Sequence, residues 1–238
     1  MLSTLLIVAW KSTSNHLFSS VLPPLLHEKT QVVTLQNGMG NCEAIAEITG
    51  PERVLAALCF VCINRLSPGE IHHSAGGRMA IGEFAAGLPG RAEALAAIFA
   101  AAKVETVVER NVEETAWKKL IWNVPFNGLA IAEGGKTTDL LMADDALVCE
   151  IRALMEEVVA AAAARGFALD KKLIEWNIER TRGMGAYRPS SLIDWQEGRE
   201  VEIESIWAEP LRRATDTGLA LPHWKKLLDR IRQACATR

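Results

Sequence analysis

The hydrophobic pattern changes period near residue 109, and that switch limits the possible folds more than any other feature of the sequence. Before it, apolar residues come in short continuous runs separated by glycine-bearing or polar turns; after it they recur at helical spacing almost to the C-terminus. Residues 2–10 read as a strand buried on both faces, as in a parallel sheet, and Lys11 closes it. A short helix is expected over 17–26, ending near Pro23 and Pro24. The valine-rich run 31–35 is the next strand, and it leads directly into Gln36-Asn37-Gly38-Met39-Gly40-Asn41. A helix over 42–48 and a strand over 54–64 complete a βαβ rhythm. Two more short strands are expected at 78–82 and 105–108, with an alanine-rich amphipathic helix over 91–102 between them.

From Asn111 the pattern is helical. Asn111 suits an N-cap, with Glu113 and Glu114 in the first turn where the helix dipole favours acids. Further helices are expected over 146–165, stopped by Gly166, and over 171–182, 202–217 and 223–236. The sequence therefore predicts two domains, an incomplete Rossmann-type unit over 1–109 and an all-helical unit over 110–238. The first half is incomplete because an open parallel sheet that begins with a central-type strand lacks neighbours. The glycine-rich G-x-G-x-x-G turn that cradles a dinucleotide is nowhere in the 238 residues; the glycines of 82–90 lack its spacing.

Composition narrows the classes of function. With 49% hydrophobic and 23% charged residues the chain can build a substantial core. A formal net charge of -3 and the lack of any long basic run argue against nucleic acid as a partner. No stretch is apolar enough to span a membrane and no signal peptide is read, so a cytoplasmic location is expected. The five cysteines are scattered, which suits reduced thiols rather than a disulfide frame. Cys59 and Cys62 lie in one strand, where residues three apart face opposite ways, and are expected to be buried core residues without a metal. His72 and His73 read as loop or strand-edge residues rather than bases.

Two segments can carry chemistry. In Trp117-Lys118-Lys119-Leu120-Ile121-Trp122-Asn123-Val124-Pro125-Phe126-Asn127-Gly128, a helix aligns Lys119, Asn123 and Asn127 on one face; Pro125 removes a backbone donor between the asparagines and is expected to kink it. By spacing alone such a row is also what a solvated stripe looks like. In the second segment, Arg188-Pro189-Ser190-Ser191-Leu192-Ile193-Asp194 followed by Gly198-Arg199-Glu200-Val201-Glu202-Ile203-Glu204, Ser190 is expected to cap a helix starting at Leu192. Glu202 sits beside Ile203 and Ile206, where a carboxylate can be held partly buried against a lysine.

The order and spacing of these pieces resemble the ketopantoate reductase family over essentially the whole chain: the strand ending at Lys11, the Gln36-Asn37-Gly38-Met39-Gly40 turn, the His73–Gly82 pattern His-x-x-Gly-Gly-Arg-x-x-Ile-Gly, the Lys119/Asn123/Asn127 helix, and the Pro189–Ile203 segment. The resemblance implies an α/β fold, an N-terminally truncated Rossmann-type sheet followed by an all-α C-terminal domain of the 6-phosphogluconate-dehydrogenase-like type. It implies NADPH-dependent reduction of 2-dehydropantoate (ketopantoate) or a related 2-keto acid in pantothenate synthesis. By the same resemblance Lys119 falls on the general acid, and Glu202 on the carboxylate that binds the substrate's distal hydroxyl, helps tune the lysine and contacts the cofactor. Asn123 and Asn127 fall on substrate-orienting carboxamides. Ser190, or Ser191 if the alignment slips by one, falls on the residue that meets the substrate carboxylate, and Lys11 and Asn37 on cofactor contacts near the nicotinamide and ribose. A homodimer is expected.

Three departures stand out. The dinucleotide fingerprint, with the basic residue that would follow it, is missing. Gly128 stands where the family usually has proline, with Pro125 between the two asparagines, and Thr137 or Thr138 lies near where the family often has asparagine. The last two bear on which 2-keto acid is accepted. The first leaves a second reading, a catalytically silent module that keeps the family's interaction surface.

Overall fold

Among the residues described by the computed structural model, 4–85 and 90–237, five strands form one sheet in the order β1-β2-β3-β4-β5: β1 (Leu5–Val8), β2 (Gln31–Thr34), β3 (Val54–Ser67), β4 (Glu70–Glu83) and β5 (Glu105–Val108). β1, β2 and β3 pair in parallel, β3 and β4 are antiparallel, and β5 runs parallel to β4. Residues 2 and 3 of the expected first strand, and residues 86–89 of the glycine-bearing segment 82–90, lie outside the described residues. The chain divides into two units, Met1–Thr115 and Ala116–Arg238.

In the first unit, side-chain alternation builds a core on each face of the sheet. Val33, Leu55, Ala57, Met79 and Ile81 pack with Ala92, Leu95 and Ala96 of α3 (Arg91–Ala101). On the opposite face Val8, Val32 and Val54 pack with Phe18 of α1 (Phe18–Val21), Leu22, and Ile45 of α2 (Asn41–Thr49). Helices thus cover both faces, as the uninterrupted valine and leucine runs require.

Several expectations are corrected here. β1 is not buried on both faces: it stands at the end of the strand order, and Ile7 keeps 46% of its surface exposed. The helix expected over 17–26 is instead a 3-10 turn (Ser12–Leu17), one turn of α1 and a second 3-10 turn (Pro23–Leu25), because Pro23 and Pro24 cannot supply the N–H groups that would extend it. The strand expected at 78–82 is the end of a hairpin that pairs β3 with β4 from Ser67 and Glu70 onward. Its outer part is exposed, so Cys59 and Cys62, opposite Met79 and Ala75, are only half-buried. Gly76, at φ +77°, sits beside the shift in register between Phe60 and Val61; a Cβ there would lie 2.3 Å from the Phe60 carbonyl oxygen. His72 and His73 are exposed residues of β4.

The second unit is built around α4 (Val112–Ala132), which starts four residues before the unit boundary and whose N-cap is Asn111: its Oδ1 accepts the Glu114 backbone N–H at 3.2 Å. From Val124 to Ile131 every residue is buried, so this stretch has no solvent face. Around it are α5 (Thr138–Met142), α6 (Asp145–Ala164), α7 (Lys172–Arg182), α8 (Ser190–Gln196), α9 (Glu209–Thr215) and α10 (Pro222–Ala236). Asp144 caps α6 by accepting the N–H groups of Ala146 and Leu147. The exposed N–H groups at the start of α10 are met from another helix: Glu157 of α6 accepts from His223 and Trp224 at 2.9 and 2.7 Å. Three tryptophans, Trp117, Trp207 and Trp224, are fully buried.

The helix expected over 202–217 is interrupted by a π-turn at Glu204–Ala208 before α9 begins. Pro210 has no N–H to give to the carbonyl four residues back, and the backbone widens just ahead of it, with the Glu209 N–H reaching Glu204. Glu209 then anchors α9: burial raises its carboxyl, but hydrogen bonds from Arg213 at 2.7 Å and from Arg212 hold it below the ordinary carboxylate value. A carboxyl depressed in the folded state contributes stability that is full above its unfolded value, about 4.3, and is lost as pH falls through the folded value. Wild type should therefore be more stable than Glu209→Gln near neutral pH, with the two melting temperatures converging in the acid range. A gap that stays constant down to acid pH would show that the Arg212 and Arg213 contacts do not depend on the carboxylate charge.

Candidate functional site

Polar side chains enter the core of the second unit along one side of α4. On α4, Lys119, Asn123 and Asn127 lie four residues apart on one side of the helix, and their burial deepens along it: Lys119 and Asn123 are half-buried, whereas Asn127 keeps only 2% of its surface. A solvated stripe would not run into the core. A buried carboxamide costs free energy unless it is hydrogen-bonded, and the Asn127 Oδ1 accepts the Ser191 backbone N–H at 3.0 Å. That bond ties the middle of α4 to the first turn of α8.

Ser190 is not the cap that was expected. It is the first residue of α8, and Pro189 occupies the N-cap position because the proline, with φ -57° and ψ 152°, is already extended there. Ser190 is half-buried and Ser191 fully buried. Asp194, buried within α8, accepts the Arg199 Nε–H at 2.9 Å, while the Asp194 carbonyl takes the Arg199 backbone N–H at 2.8 Å. This clasp closes the turn through Gly198, at φ +72°, that returns the chain to Glu202. Glu202 keeps 4% of its surface, immediately before the π-turn, and carboxylates are rarely so buried without a task or a partner.

Pro125 does not end α4. Next to it, the Val124 carbonyl oxygen accepts the indole N–H of Trp207 at 3.0 Å, from the π-turn. Gly128 lies against the same residue: a Cβ there would be 2.7 Å from Leu227 Cδ2, 3.0 Å from Trp207 Nε1 and 3.1 Å from Ile231 Cδ1. Glycine at this point of a buried helix is a close-approach requirement. On the neighbouring face Trp122 stacks on Phe126 at 5.1 Å and donates its Nε1–H to Thr181 Oγ1 at 2.9 Å. Thr138 is a structural anchor, its hydroxyl donating to the Gly185 carbonyl at 2.7 Å and its own N–H reaching the Tyr187 carbonyl.

In the first unit, Lys11 and Asn37 each stand three residues past a paired position, Val8↔Thr34, so they lie at the carboxyl ends of adjacent parallel strands, the edge at which open α/β sheets take ligands. Lys11 is exposed and Asn37 half-buried. Behind them runs a polar chain that sequence reasoning missed. Gln36 Nε2 donates to Asn15 Oδ1 at 2.7 Å, Asn15 Nδ2 to Asn41 Oδ1 at 2.8 Å, and Asn41 Nδ2 to the Asn37 carbonyl at 2.9 Å. The polar cluster around Gly38 and Gly40, both at positive φ, was a signal for Gln36 and Asn41; nothing local pointed to Asn15. Among the described residues, no group of three or more His, Cys, Asp or Glu is placed to hold a metal, and no helix is long and apolar enough to cross a membrane.

Comparison with known proteins identifies the family. Residues 3–86 match the family description "Ketopantoate reductase PanE/ApbA" and residues 111–234 its counterpart "Ketopantoate reductase PanE/ApbA C terminal". The 2-dehydropantoate 2-reductase of a Nostoc species is 36% identical over 94% of this chain and 73% of its own length. The crystal structure of 2-dehydropantoate 2-reductase from Geobacter metallireducens superposes with a TM-score of 0.95 at 38% identity, covering 98% of this chain and 78% of that one. That of the Methylococcus capsulatus 2-dehydropantoate 2-reductase gives 0.89 at 29% identity, over 98% and 74%. With both halves matched in sequence and the whole described fold matched in structure, the chain belongs to the ketopantoate reductase family of oxidoreductases.

Proposed function

We propose that the chain reduces 2-dehydropantoate (ketopantoate), or a related 2-keto acid, to the 2-hydroxy acid with NADPH, as in pantothenate synthesis. The observation that carries this reading is the polar set sunk into the helical unit: Asn127 bonded to the Ser191 N–H, with Glu202 buried beside the π-turn and Asn123 and Lys119 one and two turns up α4. A core keeps such groups at a cost, and a keto acid offers matching chemistry: a carboxylate, a carbonyl and, in 2-dehydropantoate, a distal hydroxyl.

When bound, the dinucleotide supplies the hydride. The chain's own task is to bind, orient and protonate. Lys119 holds an ammonium against the substrate carbonyl, stabilises the negative charge that develops on its oxygen, and gives that oxygen a proton. Asn123 and Asn127 orient the keto acid; since Asn127 Oδ1 is held by the Ser191 N–H, its Nδ2 is the end turned to substrate. Ser190 meets the carboxylate. Glu202 takes the distal hydroxyl. The residues present fit the nicotinamide and ribose end of the cofactor: an ammonium at Lys11 and a carboxamide at Asn37 lie on the strand-end edge of the sheet. No residue here is assigned to the pyrophosphate, whose usual glycine-rich turn is absent from the 238 residues.

The test is direct. NADPH should bind the 238-residue chain in a fluorescence titration, and adding 2-dehydropantoate should then oxidise it, with loss of the reduced cofactor's absorbance. No oxidation with 2-dehydropantoate or a panel of 2-keto acids, at saturating NADPH, would overturn the reading.

A further inference from the structure

We infer that Trp207 is a positioning residue of this site: its indole N–H fixes the Val124 carbonyl beside Pro125 and so sets where Asn127 stands relative to Asn123 and Lys119. The inference rests on the reductase reading above for what is being positioned, but its geometry stands by itself. Helices with an internal proline lose one backbone bond and gain a hinge. In α4 that hinge falls between the two asparagines, at Pro125, and a helix free to bend there would carry Asn127 away from the alignment that the four-residue spacing provides.

Trp207 meets the hinge with a hydrogen bond. Trp207 is fully buried, its Nε1 lies 3.0 Å from the Val124 oxygen, and the same nitrogen would be 3.0 Å from a Cβ on Gly128. The indole therefore lies against the turn running from Val124 to Gly128, bonded at one end and in close contact at the other. Trp207 itself comes from the π-turn that follows Glu202, so one ring links the strip carrying Asn123 and Asn127 to the strip carrying Glu202. The π-turn inserts one residue into the helical register. That insertion sets the direction from which the indole approaches α4. The other two fully buried tryptophans have no such role, since among the described residues neither the Trp117 nor the Trp224 Nε1 has a hydrogen-bond partner.

The experiment uses Trp207→Phe, which keeps an aromatic ring and removes the donor. The first readout needs no activity. The Ser191 amide bonds to Asn127 Oδ1, so its hydrogen-exchange rate reports where Asn127 stands. In Trp207→Phe the Ser191 amide should exchange about tenfold faster, as expected for losing one hydrogen bond's worth of protection, while amides within α6 and α10 keep wild-type rates. The second readout is kinetic: KM for the 2-keto acid should rise about tenfold, with kcat changed much less and NADPH affinity unchanged, because misplacement of an orienting group weakens the productive pose. Unchanged Ser191 exchange, or equally faster exchange throughout the second unit, would overturn the inference, the latter by showing a general packing role. Faster Ser191 exchange in a protein whose wild type reduces no keto acid would uphold the positioning of Asn127 and remove the reductase reading instead.

Discussion

Replacing Lys119 with alanine is expected to lower kcat by about a hundredfold or more, the usual contribution of a positioned general acid. Hydride addition to a ketone builds a full negative charge on oxygen, and a half-buried ammonium both stabilises that charge and neutralises it by proton transfer. Alanine removes both effects while remaining the best helix former, so α4 should hold and the variant should melt near wild type. NADPH affinity should be unchanged. Lys119→Arg separates the two contributions: it keeps a cation but gives up the proton only at far higher pH, so it should regain part of the loss at most. Small primary amines added to Lys119→Ala should restore some turnover. An alanine variant with wild-type kcat would sink the assignment, whatever its effect on KM.

The parts of the fold that could be read from the sequence are those decided by local pattern. Helix α6 follows from its alanine-rich periodic run, and its end from Gly166, a left-handed glycine. Strand β2 follows from its valines. What could not be read depends on partners distant in sequence. Glu70–Gly77 has no apolar alternation and two glycines, yet it is strand because β3 lies opposite it across the Pro68-Gly69 turn. Ile7 was expected to be covered and is exposed, since alternation within a strand says nothing about its neighbours. The π-turn before Pro210 had a local cause, but a periodicity reading smooths over one inserted residue.

The same division holds at the site. The alignment of Lys119, Asn123 and Asn127 is a property of helical spacing and was legible. Which of the three is buried was not, because that depends on α8 and α10 packing over the C-terminal half of the row. The Asn127–Ser191 bond joins residues 64 apart. Trp207 gave no sign of its task, since the Val124 carbonyl it meets is 83 residues away. Gly128 was visible only as a departure from the family's usual proline. The structure supplies the physical reason for that departure, and with it the second large prediction.

Gly128→Val is expected to destabilise the protein by about 2–3 kcal/mol, the upper part of the range for overpacking a well-filled core. A Cβ alone would already come within 2.7 Å of Leu227 Cδ2 and 3.0 Å of the Trp207 nitrogen, and valine adds two methyl groups in a helix where its χ1 is nearly fixed. Helix propensity works the other way by only a few tenths of a kcal/mol, so packing decides the sign. Alanine is the informative contrast: its propensity gain over glycine approaches about 1 kcal/mol and offsets part of the clash, which Leu227 can also relieve by shifting its side chain. The expected order of stability is therefore wild type, Gly128→Ala, Gly128→Val, and for a chain of this size the valine variant should melt roughly 5–10 °C lower. Adding Leu227→Ala to each variant should recover more stability in Gly128→Ala than the single changes predict, since the two side chains compete for the same space. Thermal and urea unfolding of the series decides the matter. A valine variant within about 0.5 kcal/mol of wild type, the range ordinary for an uncrowded site, would mean that α10 and Trp207 do not press on α4 at this position.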